Sequence, residues 1–197
     1  MTQSVQRARA VQAQAVLESS EVLVGTDALA AIYDDLAARS AADLRDSNPL
    51  VLCVMVGGLY ATAEITRRWD FPHDVDYLQA TRYRGALQGG EIAWRATPGE
   101  ALQGRHVLVI DDVLDEGPTL VAVLDALAAQ QPASLRALVT CEKQHARKHP
   151  RAGADYIGAS LPDRYLFGAG MDYHNHWRQL DEIRALVESP SKAEDGA

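Results

Sequence analysis

Three aspartates crowd one short stretch of the chain, Val107-Leu108-Val109-Ile110-Asp111-Asp112-Val113-Leu114-Asp115-Glu116-Gly117-Pro118-Thr119-Leu120. The apolar run reads as a strand buried on both faces, delivering Asp111 and Asp112 at its C-terminal end. A tight loop with Asp115, Glu116 and Gly117 follows, and a helix begins near Thr119. The start of that helix offers unpaired N–H groups and a positive dipole end, which suit a phosphate monoester. Gly117 lets the backbone approach the phosphate, and Thr119 adds a hydroxyl donor. The adjacent acids suit the hydroxyls of a ribose carrying that phosphate. Strand, acid pair, loop and helix together describe a ribose 5-phosphate cradle over residues 111–119. An ordinary acidic turn with Asp115 capping the helix would explain one carboxylate here, but not three after a buried strand.

Several elements must hold that cradle in place. Leu50 to Val56 is a second continuous apolar run, followed by Gly57-Gly58 and a helical stretch over 59–69. Residues 75–83 and 92–95 read as strands, with a Gly-containing, mobile stretch over 84–104. His106 to Ile110 and Leu135 to Thr140 are short buried strands flanking a helix over 119–130. Strands alternating with helices argue for a parallel sheet covered on both faces, with ligands at the carboxyl ends of its strands. Ahead of this core, residues 4–19 fit an amphipathic helix, and Thr26 is the expected N-cap of a second. The expected organisation is a helical segment over 1–48, a core over 49–145, a C-terminal segment over 146–188 and a frayed tail over 189–197.

Composition narrows the function classes. The chain has 197 residues, 47% of them hydrophobic, enough for one well-buried core. Acidic residues number 27 against 19 Lys and Arg, a formal net charge of -8. That balance argues against nucleic acid as a partner, since such affinity comes largely from neutralised phosphates. Cys53 and Cys141 each sit inside an apolar run and read as reduced core residues. No apolar run approaches the roughly 18 residues that span a bilayer, and no leader pattern opens the sequence. No membrane association and a cytoplasmic location are expected. His174 and His176 lack a third nitrogen or sulfur ligand at suitable spacing, so they read as helix-start residues rather than a zinc site.

The 107–120 segment resembles the phosphoribosyl pyrophosphate signature of type I phosphoribosyltransferases. Val56-Gly57-Gly58-Leu59-Tyr60 resembles that family's pyrophosphate loop, and Val75-Asp76-Tyr77-Leu78 with Tyr83 its strand into a mobile catalytic loop. Leu161-Pro162-Asp163-Arg164-Tyr165-Leu166-Phe167-Gly168, Met171-Asp172-Tyr173 and Trp177-Arg178 resemble the purine hood of its hypoxanthine-guanine branch. The resemblance implies an α/β fold, with a central mostly parallel sheet flanked by helices and a small hood from N- and C-terminal segments. It implies purine salvage: phosphoribosyl pyrophosphate and hypoxanthine or guanine give IMP or GMP plus pyrophosphate.

It also implies roles. Asp111 and Asp112 contact the ribose hydroxyls, and Asp115 is the catalytic acid near purine N7, acting as general base. Residues 111, 112 and 115–119 bind ribose and 5-phosphate. Lys143 donates to the 6-oxo group, Tyr165 stacks on the base, and Leu166 and Asp172 complete the purine site. Val56, Gly57, Arg82, Tyr83 and Arg178 face pyrophosphate. Mg2+ is the implied cofactor, near Asp172 and the Asp111–Asp112 pair, and a homo-oligomer, dimer or tetramer, is the implied assembly. The apolar residues Val11, Val16, Leu17 and Leu23 would serve the hood or a subunit interface. Two positions depart from the family pattern. Glu116 stands where a small hydroxyl residue is common, so its side chain is expected to face away from the phosphate. Pro118 removes one loop N–H. Two alternatives stay open: a xanthine-preferring enzyme, and a regulatory or binding member of the fold with weak catalysis.

Overall fold

The computed structural model describes residues 3–82 and 92–187. Along the chain run α1 (Gln3–Ser19), β1 (Glu21–Val24), α2 (Thr26–Leu44), β2 (Leu50–Val54), α3 (Gly58–Thr66), β3 (Asp74–Arg82) and β4 (Ile92–Ala96). Then come β5 (His106–Leu114), α4 (Pro118–Ala128), β6 (Ser134–Gln144), β7 (Tyr156–Pro162), β8 (Leu166–Phe167) and β9 (Ile183–Ala185). Six strands form the main sheet in the order β4-β3-β2-β5-β6-β7. All its neighbours pair in parallel except β4, an antiparallel edge strand on β3.

The apolar runs are continuous because this sheet is buried on both sides. Along β5, Leu108 and Ile110 join one cluster with Leu36 of α2, Ile65 of α3 and Leu138. Val107 and Val109 point the other way, to Leu120 and Leu127 of α4 and Leu52 of β2. Period-two alternation thus feeds two cores from one strand. Cys53 and Cys141 are free and buried.

The chain ends build a second, three-stranded sheet in the order β1-β9-β8. Glu21–Val24 pairs antiparallel with Ile183–Ala185, joining segments from opposite ends of the sequence. α1 lies against this sheet. Ala13, Phe167 and Tyr173 form its buried cluster, with Val16, Leu17 and Trp177 packed on it. Two backbone carbonyls are tied by long-range donors: the Trp177 indole N–H reaches Ala13 O at 2.8 Å, and Arg9 reaches His174 O at 3.0 Å. Val11, by contrast, is exposed.

Some local expectations need correction. Thr26 is not a cap: Gly25 holds that position without a side-chain cap bond, and Thr26 opens the helix. The helix after Gly57-Gly58 stops at Thr66, and the one after the acidic loop spans Pro118–Ala128. His174 and His176 do not start a helix. They lie in a turn closed by a Tyr173–His176 bridge, with positive φ at His174, Asn175 and Trp177. A sequence with Met-Asp-Tyr-His-Asn-His is compatible with helix by type, but the turn's left-handed residues end any helical run. β6 is longer than the apolar run 135–140, because its polar end continues the ladder on β7 through Gln144. Of the 84–104 stretch expected to be mobile, residues 84–91 fall outside the described residues, while 92–96 form β4.

The Trp177 indole bond predicts a localised effect. In Trp177→Phe, loss of one hydrogen bond of about 1 kcal/mol should speed amide exchange in residues 3–19 roughly five-fold. Peptides from β5 and β6 should exchange as before. Unchanged exchange in α1, measured by mass spectrometry, would show that this bond does not anchor the helix.

Candidate functional site

β2 is followed by β3 and β4 on one side, while β5, β6 and β7 extend the sheet on the other. The order therefore reverses between neighbouring β2 and β5, and loops leaving their carboxyl ends diverge into a crevice. A cleft of about 840 Å³ opens there, lined by Asp111, Asp115, Glu116, Gly117, Pro118 and Thr119, with Ala80 and Thr81 of β3.

β5 extends through Leu114, so Asp111 and Asp112 lie within the strand rather than beyond it. Asp111 lines the cleft. Asp112 lies against Gly57, where an added Cβ would fall 2.0 Å from a carboxylate oxygen. A side chain at 57 would have to displace the Asp112 carboxylate. Burial, and then the charge of Asp112, push the Asp111 carboxyl well up from its ordinary value. Burial also raises Asp112, against hydrogen bonds from neighbouring groups and the charge of Arg178. Two raised acids side by side favour any ligand that brings hydroxyl donors or positive charge.

The next loop presents a helix start. Gly117 is the N-cap of α4, in the left-handed region at φ 81°, and Pro118 is the first helical residue. A Cβ on Gly117 would also meet Ala152 Cβ at 2.4 Å, so Gly is required here by its own backbone and by the facing loop. Asp115 does not cap the helix, since no side-chain cap bond is present. Glu116 turns to Arg147, 3.4 Å away, and its carbonyl accepts the His149 N–H at 2.8 Å.

Asp115 is held from the far side. Lys143, near the end of β6, donates to its Oδ2 at 2.8 Å, and His145 Nε2 lies 2.7 Å from Oδ1. Burial pulls the Asp115 carboxyl upward, but the bonds from Lys143 and His145 outweigh it and hold the group below its ordinary value. His145 and Arg147 were not among the expected site residues. One signal for His145 was present: it follows Lys143 by two positions, hence on the same face of an extended chain. Arg147 also grips both oxygens of Asp163, at 2.8 and 3.1 Å.

The C-terminal segment brings other expected residues together. Tyr165 is 46% exposed, its hydroxyl donates to Asp172 O at 3.1 Å, and its ring meets Tyr173 edge-on. Leu166 is buried, with its main chain paired to Ala185. Asp172 binds Arg178 at 2.6 Å and accepts the Asn175 N–H at 2.6 Å. Arg178 also donates to Gly170 O at 2.8 Å. Gly170 in turn packs against Gly57 O. The hood turn, the loop after β2 and the acids of β5 thus share one contact zone. Val56 is exposed beside it. Arg82 ends β3, while Tyr83 lies outside the described residues.

Comparison with known proteins places this architecture. A family model, the phosphoribosyl transferase domain, matches residues 21–174. The hypoxanthine-guanine-xanthine phosphoribosyltransferase of Tritrichomonas foetus is 32% identical over 168 residues, 85% of this chain and 92% of that protein. The hypoxanthine-guanine phosphoribosyltransferase of Bacillus subtilis is 25% identical, over 84% of this chain and 92% of its own length. A solved hypoxanthine-guanine-xanthine phosphoribosyltransferase superposes with a TM-score of 0.77 at 30% identity, covering 85% of this chain and 97% of that one. With a family match across most of its length and a relative above 30% identity, the chain belongs to the phosphoribosyltransferase family.

Proposed function

We propose that the protein transfers the 5-phosphoribosyl group of phosphoribosyl pyrophosphate to hypoxanthine or guanine, yielding IMP or GMP and pyrophosphate. The observation that carries this reading is the Lys143–Asp115 pair at the mouth of the strand-end cleft. A cation able to donate to a 6-oxo oxygen sits beside an acid able to take a proton from the same base. Relatives named for hypoxanthine and guanine support it.

The residues divide the work. The N–H groups of the 116–120 turn receive the 5-phosphate, with Thr119 Oγ as an added donor and Pro118 contributing none. Arg147 draws Glu116 aside and offsets its charge, which otherwise would repel that phosphate. Asp111 and Asp112 accept bonds from the ribose hydroxyls. As purine nitrogen attacks C1, the C1–pyrophosphate oxygen bond breaks and the base must lose a proton, which Asp115 accepts. In the free protein Asp115 is a poor acceptor, because Lys143 holds it low. When a 6-oxo purine draws Lys143 to its oxygen, Asp115 becomes more basic at the moment a proton arrives. A 6-amino group offers Lys143 no acceptor in that place, so discrimination and activation share one switch.

Tyr165 offers a half-exposed ring for stacking, with Leu166 and Asp172 along the base edge. On the family resemblance, the pyrophosphate site is read as Val56, Gly57, Arg82, Tyr83 and Arg178. Asp111 and Asp112 supply oxygen ligands of the kind Mg2+ prefers, whereas both oxygens of Asp172 are engaged by Arg178 and the Asn175 N–H, so Asp172 would reach the ion through water. Held there, Mg2+ would supply positive charge to offset that of pyrophosphate. The reading carries with it a cytoplasmic location and a homo-oligomer. No helix among the described residues is long and apolar enough to cross a membrane.

A pyrophosphate-release assay with hypoxanthine, guanine, xanthine and adenine tests the substrate class. Release is expected with hypoxanthine and guanine and not with adenine; release with none of the four contradicts the reading. Asp115→Asn should lower kcat by about 10²–10⁴ while leaving phosphoribosyl pyrophosphate affinity near the parent value. Unchanged turnover removes Asp115 from the chemistry.

Asp111→Asn separates binding from stability. A carboxyl raised on folding supports the fold only while protonated, and that support is lost as pH rises through its folded value. The variant should therefore melt above the parent at pH 8, by about 2–4 °C per kcal/mol relieved, with the gain shrinking on acidification. It should also bind phosphoribosyl pyrophosphate roughly ten-fold or more weakly. A lower melting temperature at pH 8 contradicts the electrostatic account.

A further inference from the structure

We propose that His145 is a positioning residue for the transfer, locked as the neutral Nε2–H tautomer and holding Asp115 in place while Lys143 turns to the substrate. The inference rests on the reading of Asp115 as the proton acceptor.

The tautomer follows from two contacts. The backbone N–H of Arg147 points at His145 Nδ1, at 3.2 Å. A backbone N–H can only donate, so Nδ1 must present its lone pair. The ring proton is then on Nε2, which donates to Asp115 Oδ1 at 2.7 Å. The imidazole side chain is only 4% exposed, so solvent does not compete for either nitrogen.

Asp115 has two oxygens and two partners, and the partners differ in kind. Lys143 is a flexible stem whose ammonium, on Oδ2, is needed by the base. His145 is a rigid ring fixed at its far side by the main chain. Once Lys143 departs, His145 is the contact that keeps the carboxylate aimed. It does not carry the proton onward: Nε2 is already protonated, and protonating Nδ1 would set two N–H groups against each other. A metal reading is also disfavoured. Asp115, His145 and Asp163 bring ligand atoms within 4.8 Å of one another, but Arg147 occupies both oxygens of Asp163 and Lys143 occupies Asp115.

The charged neighbours define what a pH profile reads. Facing Asp115 are Lys143 from β6, His145 beyond it and Asp163 from the end of β7. Facing His145 are Asp115, Lys143, and Asp163 from the end of β7, with Arg147 binding Asp163. Removing a donor to the charged form of Asp115 raises its proton affinity. The acid limb of the kcat profile therefore moves to higher pH.

The test compares His145→Ala and His145→Gln in the full chain, with hypoxanthine and guanine as acceptors. His145→Ala should lose about ten- to a hundred-fold in kcat, with the KM for phosphoribosyl pyrophosphate little changed and the acid limb displaced upward. His145→Gln, whose amide nitrogen reaches the place of Nε2, should recover most of kcat and return the limb. A role confined to packing would lower stability without moving the limb and without rescue by Gln, and that result overturns the proposal. Long-range proton–nitrogen NMR on the parent protein supplies a readout independent of turnover. The Nε2–H tautomer at the pH of the assay supports the proposal, and an Nδ1–H tautomer or a doubly protonated ring there overturns it. A parent protein with no transfer activity but the Nε2–H tautomer would instead sink the reading of the reaction.

Discussion

Three pieces of backbone meet around the carboxylate of Asp112, and they fit only because two of them carry no side chain there. Gly57, after β2, yields the space that the Asp112 oxygens fill, and Gly170, in the hood turn, closes on Gly57 O. Such approaches are tighter than any Cβ permits, so the contact fixes the three segments relative to one another. Through it the main sheet positions the loop read as the pyrophosphate site, the acids read as the ribose site and the hood read as the purine site. Arg178 strengthens the junction by spanning Asp172 and Gly170 O while its charge offsets Asp112.

The same junction concentrates unfavourable electrostatics. Adjacent acids in a central strand cost stability when both ionise, and the parallel sheet around them has to supply the difference. Burial of both sheet faces provides that reserve, with Leu50, Leu52, Leu108 and Ile110 fully enclosed next to the site. A scaffold of this kind holds charged groups where loops alone could not. Asp115 contrasts with the acid pair: cationic and imidazole donors hold it ionised, so neighbouring carboxylates on one strand and its loop take opposite shifts. Environment, more than residue type, sets what each acid does.

Much of the scaffold was legible because its signals are local. Continuous apolar runs at 50–56 and 107–110 announce strands buried on both faces, and the Gly-Pro-Thr sequence at 117–119 announces a helix start. What escaped was non-local. β1 and β9 are short strands that pair across roughly 160 residues of sequence, with β9 also laddered on β8. The polar end of β6 looked like a loop because its side chains serve the site rather than the core, yet its ladder with β7 continues to Gln144. His145 and Arg147 fell beyond that end, in a run of Lys, Arg and His that reads as solvated surface until Asp115 and Asp163 are seen beside it. The ordinary alternative for Asp115, a helix cap, is ruled out because Gly117 takes that position and leaves the carboxylate to face Lys143 and His145.

The central claim is that the strand-end cleft holds a ribose 5-phosphate, and a crystal structure with bound IMP tests it most directly. The account predicts phosphate oxygens about 2.9 Å from N–H groups of the 116–120 turn, and ribose hydroxyls on Asp111 and Asp112. IMP seated elsewhere, or a cleft left empty at millimolar nucleotide, would contradict it.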